Sequence, residues 1–227
     1  MDFSVFIPNI IKILSKYWKV FLFTGLKNTL LLTLISVALG TLLGTLVAMG
    51  KMSRFKPLRW LISVYIEVLR GTPILLQLYI FYFVLPSILP FLKLSQFMWV
   101  AIALCVNSSA YVSEVIRSGI QAIDRGQTEA ARSLGLNGTQ TMLRIVLPQA
   151  VKNILPALCN EFIMIIKETS LASTFFIGDL MTQYNTIRGI TYRVVEPLII
   201  VAVIYLVLTY TLSKLVSMVE RRMKAGD

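Results

Sequence analysis

Polar side chains that could bind a charged molecule recur within an apolar stretch over residues 97–116. Asn107, Tyr111 and Glu114 follow one another at spacings of four and three residues, which places them on one face of a helix. Ionisable groups inside a membrane are costly, rarely face lipid and are functional candidates by default. Glu114 is therefore a candidate ligand for a cation, with pairing to Arg117 three residues later as the alternative.

A second set of polar side chains lies in the apolar stretch 145–166 and just beyond it. Asn153, Asn160 and Lys167 recur every seven residues and form one stripe on a helix. Glu161 and Glu168 form an adjacent stripe, about 100° further round. Two polar stripes on different helices could line one cavity, and the alternative for Glu161 is a bond to a neighbouring helix.

The polar break at residues 121–144 predicts a short helix between two membrane spans. Thr128 could cap its start, and Glu129 would then lie in the first turn, where negative charge suits the helix dipole. Gly135 follows where glycine readily adopts a left-handed C-cap. A short self-capped helix on such a loop suits contact with another protein.

The composition indicates a membrane protein. Hydrophobic residues make up 56% of the 227 residues and charged residues 15%, whereas a soluble domain has about 25% charged residues. The net charge of +11 is attributed to basic loops and lipid headgroups rather than to nucleic acid, because no aromatic-rich basic patch accompanies it.

Apolar runs predict about five spans of about 20 residues each. They cover residues 24–49, 73–92, 97–116, 145–166 and 197–219. We expect an interfacial helix at 1–23, a permeation domain at 24–222 with its polar loop at 121–144, and a short tail at 223–227. Pro73 predicts a kink at the start of the second span.

Basic residues predict the orientation of these spans. Lys and Arg concentrate in the loop after the first span, in the loop at 117–144 and at the C-terminus. With five spans these three segments share one side, which the positive-inside rule assigns to the cytoplasm. The N-terminal lysines then lie outside, against the rule.

Residue types argue against catalysis by this chain. It has no histidine, and its two cysteines, Cys105 and Cys159, stand alone in apolar stretches, so we predict no metal centre, disulfide or catalytic residue. The segment from Gly44 to Met52 misses the spacing and the hydroxyl of a nucleotide-binding loop, so energy must come from a partner. Gly40, Gly44 and Ala48 predict close helix packing.

The polar loop resembles a known motif. Glu129-Ala130-Ala131 precedes Gly135 by the spacing Glu-Ala-Ala-x-x-x-Gly, and Ile145 to Pro148 follow after nine residues. This is similar to the EAA loop of ABC-importer permeases. The resemblance implies that the loop forms a coupling helix that docks on a cytoplasmic ATPase.

Three further stretches resemble the polar amino-acid uptake subfamily of these permeases. They are Arg70-Gly-Thr-Pro73 with Gln77, the run from Asn107 to Ile120, and the run from Asn160 to Leu171. The resemblance implies an all-α, five-span type I permease in a bacterial or archaeal cell membrane. The implied partners are a second copy or a second permease, two ATPase subunits that bind ATP and magnesium, and an extracytoplasmic amino-acid-binding protein.

The expected substrate is a polar, cationic amino acid. One carboxylate could hold the ammonium common to all amino acids, and a second could hold a cationic side chain. Glu114 and Glu161 are the two candidates, with Glu161 the better one for the side chain. The neutral partners would be Asn160, Ser113, Thr72 and Gln77. An uncharged or acidic amino acid such as glutamine remains the alternative.

Two rival functions are weaker. An intramembrane hydrolase would lack a histidine base and a Gly-x-Ser-x-Gly elbow in this sequence. A transporter or channel that needs no ATPase would be expected to show inverted repeats with interrupted spans, and it would leave the EAA segment unexplained.

Overall fold

The computed structural model describes residues 3–224 and builds them from helices. In chain order these are α1 (Phe3–Lys19), α2 (Lys27–Lys51), α3 (Lys56–Gly71), α4 (Ile74–Tyr79), α5 (Leu85–Ile88), α6 (Gln96–Gln121), α7 (Arg125–Ser133), α8 (Gly138–Thr141), α9 (Leu147–Glu168), α10 (Leu180–Thr191) and α11 (Val195–Lys224). The all-α membrane fold predicted from composition is confirmed.

Three π-helical segments and one 3₁₀ segment join some of these helices without a loop. Val20–Leu26 joins α1 to α2, Ile80–Val84 joins α4 to α5, and Met142–Val146 joins α8 to α9. The 3₁₀ segment Thr169–Phe175 extends α9. The predicted helix at the N-terminus is therefore continuous with the first span, and its place at the membrane interface stays a prediction.

The number of spans agrees with the sequence. Four continuous helical segments are long and apolar enough to cross a membrane, and the bent pair α3 and α4–α5 makes a fifth. The two halves of that pair meet at 105°, because Pro73 holds an extended backbone between them. The kink predicted at Pro73 is confirmed as a full break in the helix.

Close packing of α2 on α6 organises the centre of the bundle. A Cβ atom added at Gly44 would lie 2.7 Å from Val112 Cγ1 and 2.8 Å from the Ser109 carbonyl oxygen. At Gly40 it would lie 3.0 Å from the Ser108 side chain. The packing role predicted for these small residues is confirmed, since only glycine lets the two backbones approach so closely.

Two buried apolar clusters lie on either side of this contact. One joins α2, α4, α6 and the 3₁₀ segment through buried residues that include Leu32, Leu78, Leu104 and Phe175. The other joins α1, α10 and α11 through residues that include Ile13, Leu180, Ile187 and Ile200. Helix α10 lies between the last two spans and was not predicted from the sequence.

The C-terminal boundary extends the last predicted span. Helix α11 continues through Met223 and Lys224, so it includes the first two residues of the predicted tail. The remaining tail residues, 225–227, lie outside the described residues.

Candidate functional site

Helix α7 carries the Glu-Ala-Ala segment and begins earlier than predicted. Asp124 is its N-cap, and the Asp124 side chain accepts a hydrogen bond from the Gly126 backbone N–H at 2.8 Å. Thr128 therefore lies inside the helix and does not cap it. Glu129 lies in the second turn, so the predicted first-turn position was wrong. Asp124, four residues before Thr128, instead accepts a hydrogen bond from an unpaired backbone N–H at the start of the helix.

The C-terminal end of α7 matches the prediction. Gly135 has φ +87°, the left-handed conformation that glycine adopts without a steric penalty. The Leu136 N–H donates to the Ala131 carbonyl and the Gly135 N–H donates to the Arg132 carbonyl, each at 3.1 Å. These two bonds form a Schellman motif, which satisfies the last carbonyls of the helix.

One side of α7 is anchored and the other is open. Ala131 is 4% exposed, whereas Leu134 is 85% exposed and Glu129 and Ala130 lie on the surface. Behind the helix, a cavity of about 480 Å³ reaches the end of α6 and the start of α8. The outward face has the small and apolar side chains that a docking protein can cover.

The polar face of α6 meets the bent pair α3–α4. The Asn107 amide donates to Gln77 Oε1 at 2.9 Å, and the Arg70 guanidinium lies 5.4 Å from the centre of the Tyr111 ring. Arg70 also lies 3.8 Å from the Glu114 carboxylate. The shared face predicted for the three α6 residues is confirmed, and its neighbour within this chain is α3–α4 rather than α9.

Thr72 and Gln77 brace the break between α3 and α4. Gln77 Nε2 donates to the Leu69 carbonyl at 2.8 Å and to the Thr72 hydroxyl at 2.9 Å, and the Thr72 hydroxyl donates to the Val68 carbonyl at 2.7 Å. Gln77 is buried, and both its amide nitrogen and its amide oxygen have hydrogen-bond partners within the chain. A contact of Thr72 or Gln77 with substrate stays a prediction.

Glu114 has cationic partners of its own. Arg117 binds it through Nε at 3.1 Å and Nη2 at 2.6 Å, and Arg117 also bonds Gln121 at the end of α6. The pairing alternative for Glu114 is therefore what the structure shows. Glu114 borders an open cavity of about 570 Å³, whose other charged side chains are Lys51, Arg59, Glu67, Arg70 and Arg117.

The structure separates Glu161 from this cavity. Gly119 marks the face of α6 that meets α9, because a Cβ atom there would lie 2.3 Å from Ile154 Cγ1. Glu114 is five residues from Gly119, about 140° round α6. Glu161 is seven residues from Ile154 and so lies on the α9 side that faces α6. Within one chain, the two candidate carboxylates do not line a common cavity.

Two of the predicted ligands on α9, Asn160 and Glu161, lack side-chain partners among the side chains that the structure describes. Glu161 is half-buried and Asn160 exposed, and neither side chain forms a hydrogen bond or ion pair with a residue in 5–223. Ser113, by contrast, is buried and its hydroxyl donates to the Ala110 carbonyl at 2.7 Å. Of the predicted substrate ligands, Glu161 and Asn160 are the ones with free polar groups.

Sequence reasoning missed a buried polar cluster at the start of α10. Asp179 is fully buried and caps α10 by accepting from the Met181 N–H at 3.0 Å, while the Thr29 hydroxyl accepts from the Leu180 N–H at 3.1 Å. Burial raises the pKa of the Asp179 carboxyl above its ordinary value. The signal available was an aspartate before an apolar residue, a common N-cap pattern.

The family is shown by comparison with known proteins. The family described as "Binding-protein-dependent transport system inner membrane component" matches residues 40–225. The chain belongs to this family. The permease is therefore a transport subunit of the ABC-importer kind, as the EAA segment predicted.

Individual relatives point to amino-acid transport. The permease is 42% identical over 227 residues to the arginine transport system permease protein ArtQ of Bacillus subtilis (strain 168), covering 100% of this chain and 99% of that protein. It is 41% identical over 200 residues to the probable glutamine ABC transporter permease protein GlnM of the same organism, covering 88% and 92%.

A solved structure supports the same conclusion. The permease is 47% identical to a chain in a crystal structure of an amino acid ABC transporter with histidines, with a TM-score of 0.87 and coverage of 92% of this chain and 96% of that one. The permease is thus the membrane subunit of an amino-acid ABC importer. Such a subunit works in the bacterial inner membrane with an ATPase, a permease partner and a binding protein.

Proposed function

We propose that the permease imports polar, cationic amino acids of the arginine, lysine and histidine class. The observation that carries the proposal is the Glu161 carboxylate. It lies within a spanning helix, half-buried, with no cationic partner among the side chains of residues 5–223. A cation from outside the chain would supply the missing partner.

The two candidate glutamates differ in their ion pairs. Glu114 is already neutralised by Arg117 and lies near Arg70, so an added cation would gain little there. An unpaired charge in a desolvated site is strongly unfavourable, and a partner that pairs with it offsets that cost. A cationic side chain should therefore gain more binding free energy from Glu161 than from Glu114. Asn160 would be a neutral neighbour of that site.

Glu168 reinforces the negative character of this side of α9. It lies two turns beyond Glu161 on the same stripe, and it also makes no hydrogen bond or ion pair with a described residue. An extended cationic amino acid could meet one carboxylate with its α-ammonium and the other with its side chain.

The names of the relatives bear on the substrate. ArtQ is named for arginine and matches the full length of the permease, and the structure described with histidines is 47% identical. Both amino acids carry cationic or readily protonated side chains. GlnM is named for glutamine at 41% identity, so an uncharged polar amino acid is the second candidate.

Transport would follow an alternating-access cycle in which this chain supplies the path and the coupling helix. Two ATPase subunits would bind ATP and magnesium and close on each other. Because α7 would rest on an ATPase, closure would move the α7 helices of two permease subunits together and turn the cavity outward. A binding protein would deliver the amino acid, and hydrolysis would restore the inward state.

The test is to replace Glu161 by glutamine, which keeps the shape and removes the charge. Losing one partner of a desolvated charge pair costs about 2–5 kcal/mol, so arginine binding to the purified complex should weaken at least about thirtyfold. Glutamine binding should change much less, which makes it an internal control. Glu161→Asp, which retains the charge, should recover part of the arginine affinity.

Three results would contradict the cationic class. They are unchanged arginine binding in Glu161→Gln, equal affinity of the parent for glutamine and arginine, and a loss of arginine binding in Glu114→Gln with none in Glu161→Gln. The last result would move the side-chain site to α6. None of them would alter the assignment as an amino-acid permease, which rests on the family and the relatives.

A further inference from the structure

A small basic cavity lies between α1 and the turn that joins α10 to α11. It has a volume of about 220 Å³ and is lined by Asn9, Lys12, Lys16, Tyr17, Thr191 and Arg193, with Ile13 at its base. A water molecule occupies about 30 Å³ in the liquid, so the cavity has room for a few small polar groups but not for a folded element of another protein.

Two of the cations in this cavity are uncompensated. Arg193 Nη1 pairs with Glu196 Oε1 at 2.6 Å. Neither Lys12 nor Lys16 forms an ion pair with a side chain of residues 5–223, and the Lys16 ammonium lies 5.3 Å from the centre of the Tyr17 ring. The two lysines are one turn apart on the same side of α1, so both ammonium groups can reach one anion. The cavity therefore carries a local charge of about +2.

The opposite side of α1 is apolar and uncovered. Ile7 is 58% exposed, Ile11 62%, and Leu14 and Trp18 more than 40%. These residues lie roughly 140–260° around the helix from the two lysines. A helix with one uncovered apolar face and a separate basic stripe is typical of the boundary between acyl chains and headgroups.

The length of the first helical segment places this boundary outside the cytoplasmic half of the membrane. Residues Val5–Lys51 form one segment of 47 residues, about 70 Å long at 1.5 Å per residue, whereas the hydrocarbon core is about 30 Å thick. Measured along the helix from Lys51 in the predicted cytoplasmic loop, Lys16 lies about 52 Å and Lys12 about 58 Å away at 1.5 Å per residue, so both lysines lie beyond the hydrocarbon core on the outer side. Their presence there opposes the positive-inside rule, and a specific anion would explain it.

We propose that this cavity binds the phosphodiester headgroup of an anionic phospholipid in the outer leaflet. Lys12 and Lys16 pair with the phosphate, and the Asn9, Thr191 and Tyr17 polar groups border it. The proposal does not depend on which amino acid the permease transports.

The test measures lipid binding to the purified permease–ATPase complex in a neutral detergent. Short-chain phosphatidylglycerol is titrated and bound lipid is counted by native mass spectrometry, with phosphatidylcholine as the neutral comparison. We expect saturable phosphatidylglycerol binding, one molecule for each permease copy. Lys12→Gln with Lys16→Gln should weaken it at least about tenfold, since each basic residue near a lipid headgroup strengthens binding about fivefold.

Two variants control the charge argument. Lys19→Gln removes a cation from the same helix that does not line the cavity and lies over the Trp18 ring at 5.7 Å, so it should bind phosphatidylglycerol like the parent. Lys12→Arg with Lys16→Arg keeps both charges and should retain most of the affinity. The single variants Lys12→Gln and Lys16→Gln, each with a smaller loss, extend the test if the double variant is poorly folded.

Four outcomes would overturn the proposal. Equal affinity for phosphatidylcholine and phosphatidylglycerol would show that the lipid charge is not recognised. An equal loss of affinity in Lys19→Gln would show that binding does not depend on the residues that line the cavity. Displacement of the lipid by equimolar inorganic phosphate would indicate a site for a soluble anion. Loss of binding-protein affinity in Lys12→Gln/Lys16→Gln with lipid binding intact would assign the cations to a protein contact.

Discussion

Gly135 offers a test of the coupling helix in which strain can be separated from steric clash. Its φ is +87°, and a Cβ atom added there would meet no heavy atom within 4 Å. A substitution therefore changes the backbone preference and no packing contact. A left-handed conformation costs an L-residue about 1–2 kcal/mol, and a β-branched residue lies at the upper end of that range.

A cost of about 1–2 kcal/mol is large compared with the stability of a helix as short as α7. The helix has nine residues, fewer than the 12–15 that an isolated helix needs for marginal stability in water, so it depends on its caps and on Ala131. A loss of 1–2 kcal/mol lowers the population of the ordered cap by a factor of about 5–30. We expect Gly135→Val to lower substrate-stimulated ATPase activity and transport several-fold in the reconstituted complex.

Two further variants make the result specific. Gly138 is an adjacent exposed glycine with no neighbour within 4 Å and no positive φ, so Gly138→Val should leave coupling close to the parent level. Gly135→Asn should give an intermediate loss, because asparagine tolerates the left-handed region. Equal activities in Gly135→Val, Gly135→Asn and the parent, with all variants inserted in the membrane, would refute the coupling role of this cap.

Three other predictions test topology, packing and charge. With Cys105 and Cys159 removed, a cysteine at Thr139 should resist an impermeant reagent in intact cells and react after permeabilisation; labelling in intact cells would reverse the orientation. Gly44→Val should destabilise the detergent-purified permease by about 1–3 kcal/mol in thermal unfolding, because Val112 and the Ser109 backbone occupy the space; an unchanged midpoint would show that the helices can separate freely. Asp179→Asn keeps the N-cap but removes a buried charge whose pKa burial raises. In the parent, the folded state binds the Asp179 proton more tightly than the unfolded state does. The stability of the parent therefore falls as pH rises from the unfolded pKa of about 3.9 through the folded pKa. The stability of Asp179→Asn relative to the parent should be larger at pH 7.5 than at pH 4.5, and a constant difference would contradict this reasoning.

Features set by short spacings were predictable from the sequence. The break at Pro73 and the left-handed cap at Gly135 follow from the allowed conformations of one or two residues, and the close approach at Gly40 and Gly44 follows from the absence of a side chain at a helical spacing. The shared face of Asn107 and Glu114 follows from the helical period alone. In each of these places the residue type and its spacing are sufficient to predict the feature.

The errors arose where tertiary contacts choose between acceptable local solutions. Asp124 and Thr128 are both good N-caps, and the end of α6 at Gln121 leaves room for α7 to begin at the earlier one. Helix α10 was missed because its sequence mixes polar and apolar residues without a long hydrophobic run. Its buried face forms against Val20–Leu26, Thr169–Phe175 and α11, which no local pattern reveals.

The choice of partner for Glu114 was open in the sequence for the same reason. Its pairing with Arg117 is local, at a spacing of three residues, but Arg70 approaches because α3 packs against α6, where the Tyr65 hydroxyl lies 2.6 Å from the Ser109 hydroxyl. The sequence could name Glu114 and Arg117 as a possible pair. It could not show that a third charged residue, from a different helix, joins them.

These contacts divide the charged groups of the permease between two tasks. Arg70, Glu114, Arg117 and Gln121 form a series of side-chain contacts from the break after α3 to the end of α6, three residues before the cap of α7. Arg117 neutralises the Glu114 carboxylate and Arg70 leaves the series with a net charge of about +1, so it offers no unpaired carboxylate to a cationic substrate. Glu161 lies on a different helix with no such compensation. In our proposal, ligand charge is therefore sensed on α9, whereas the ion pairs of α6 connect the membrane segment to the ATPase side, and the two can be perturbed separately.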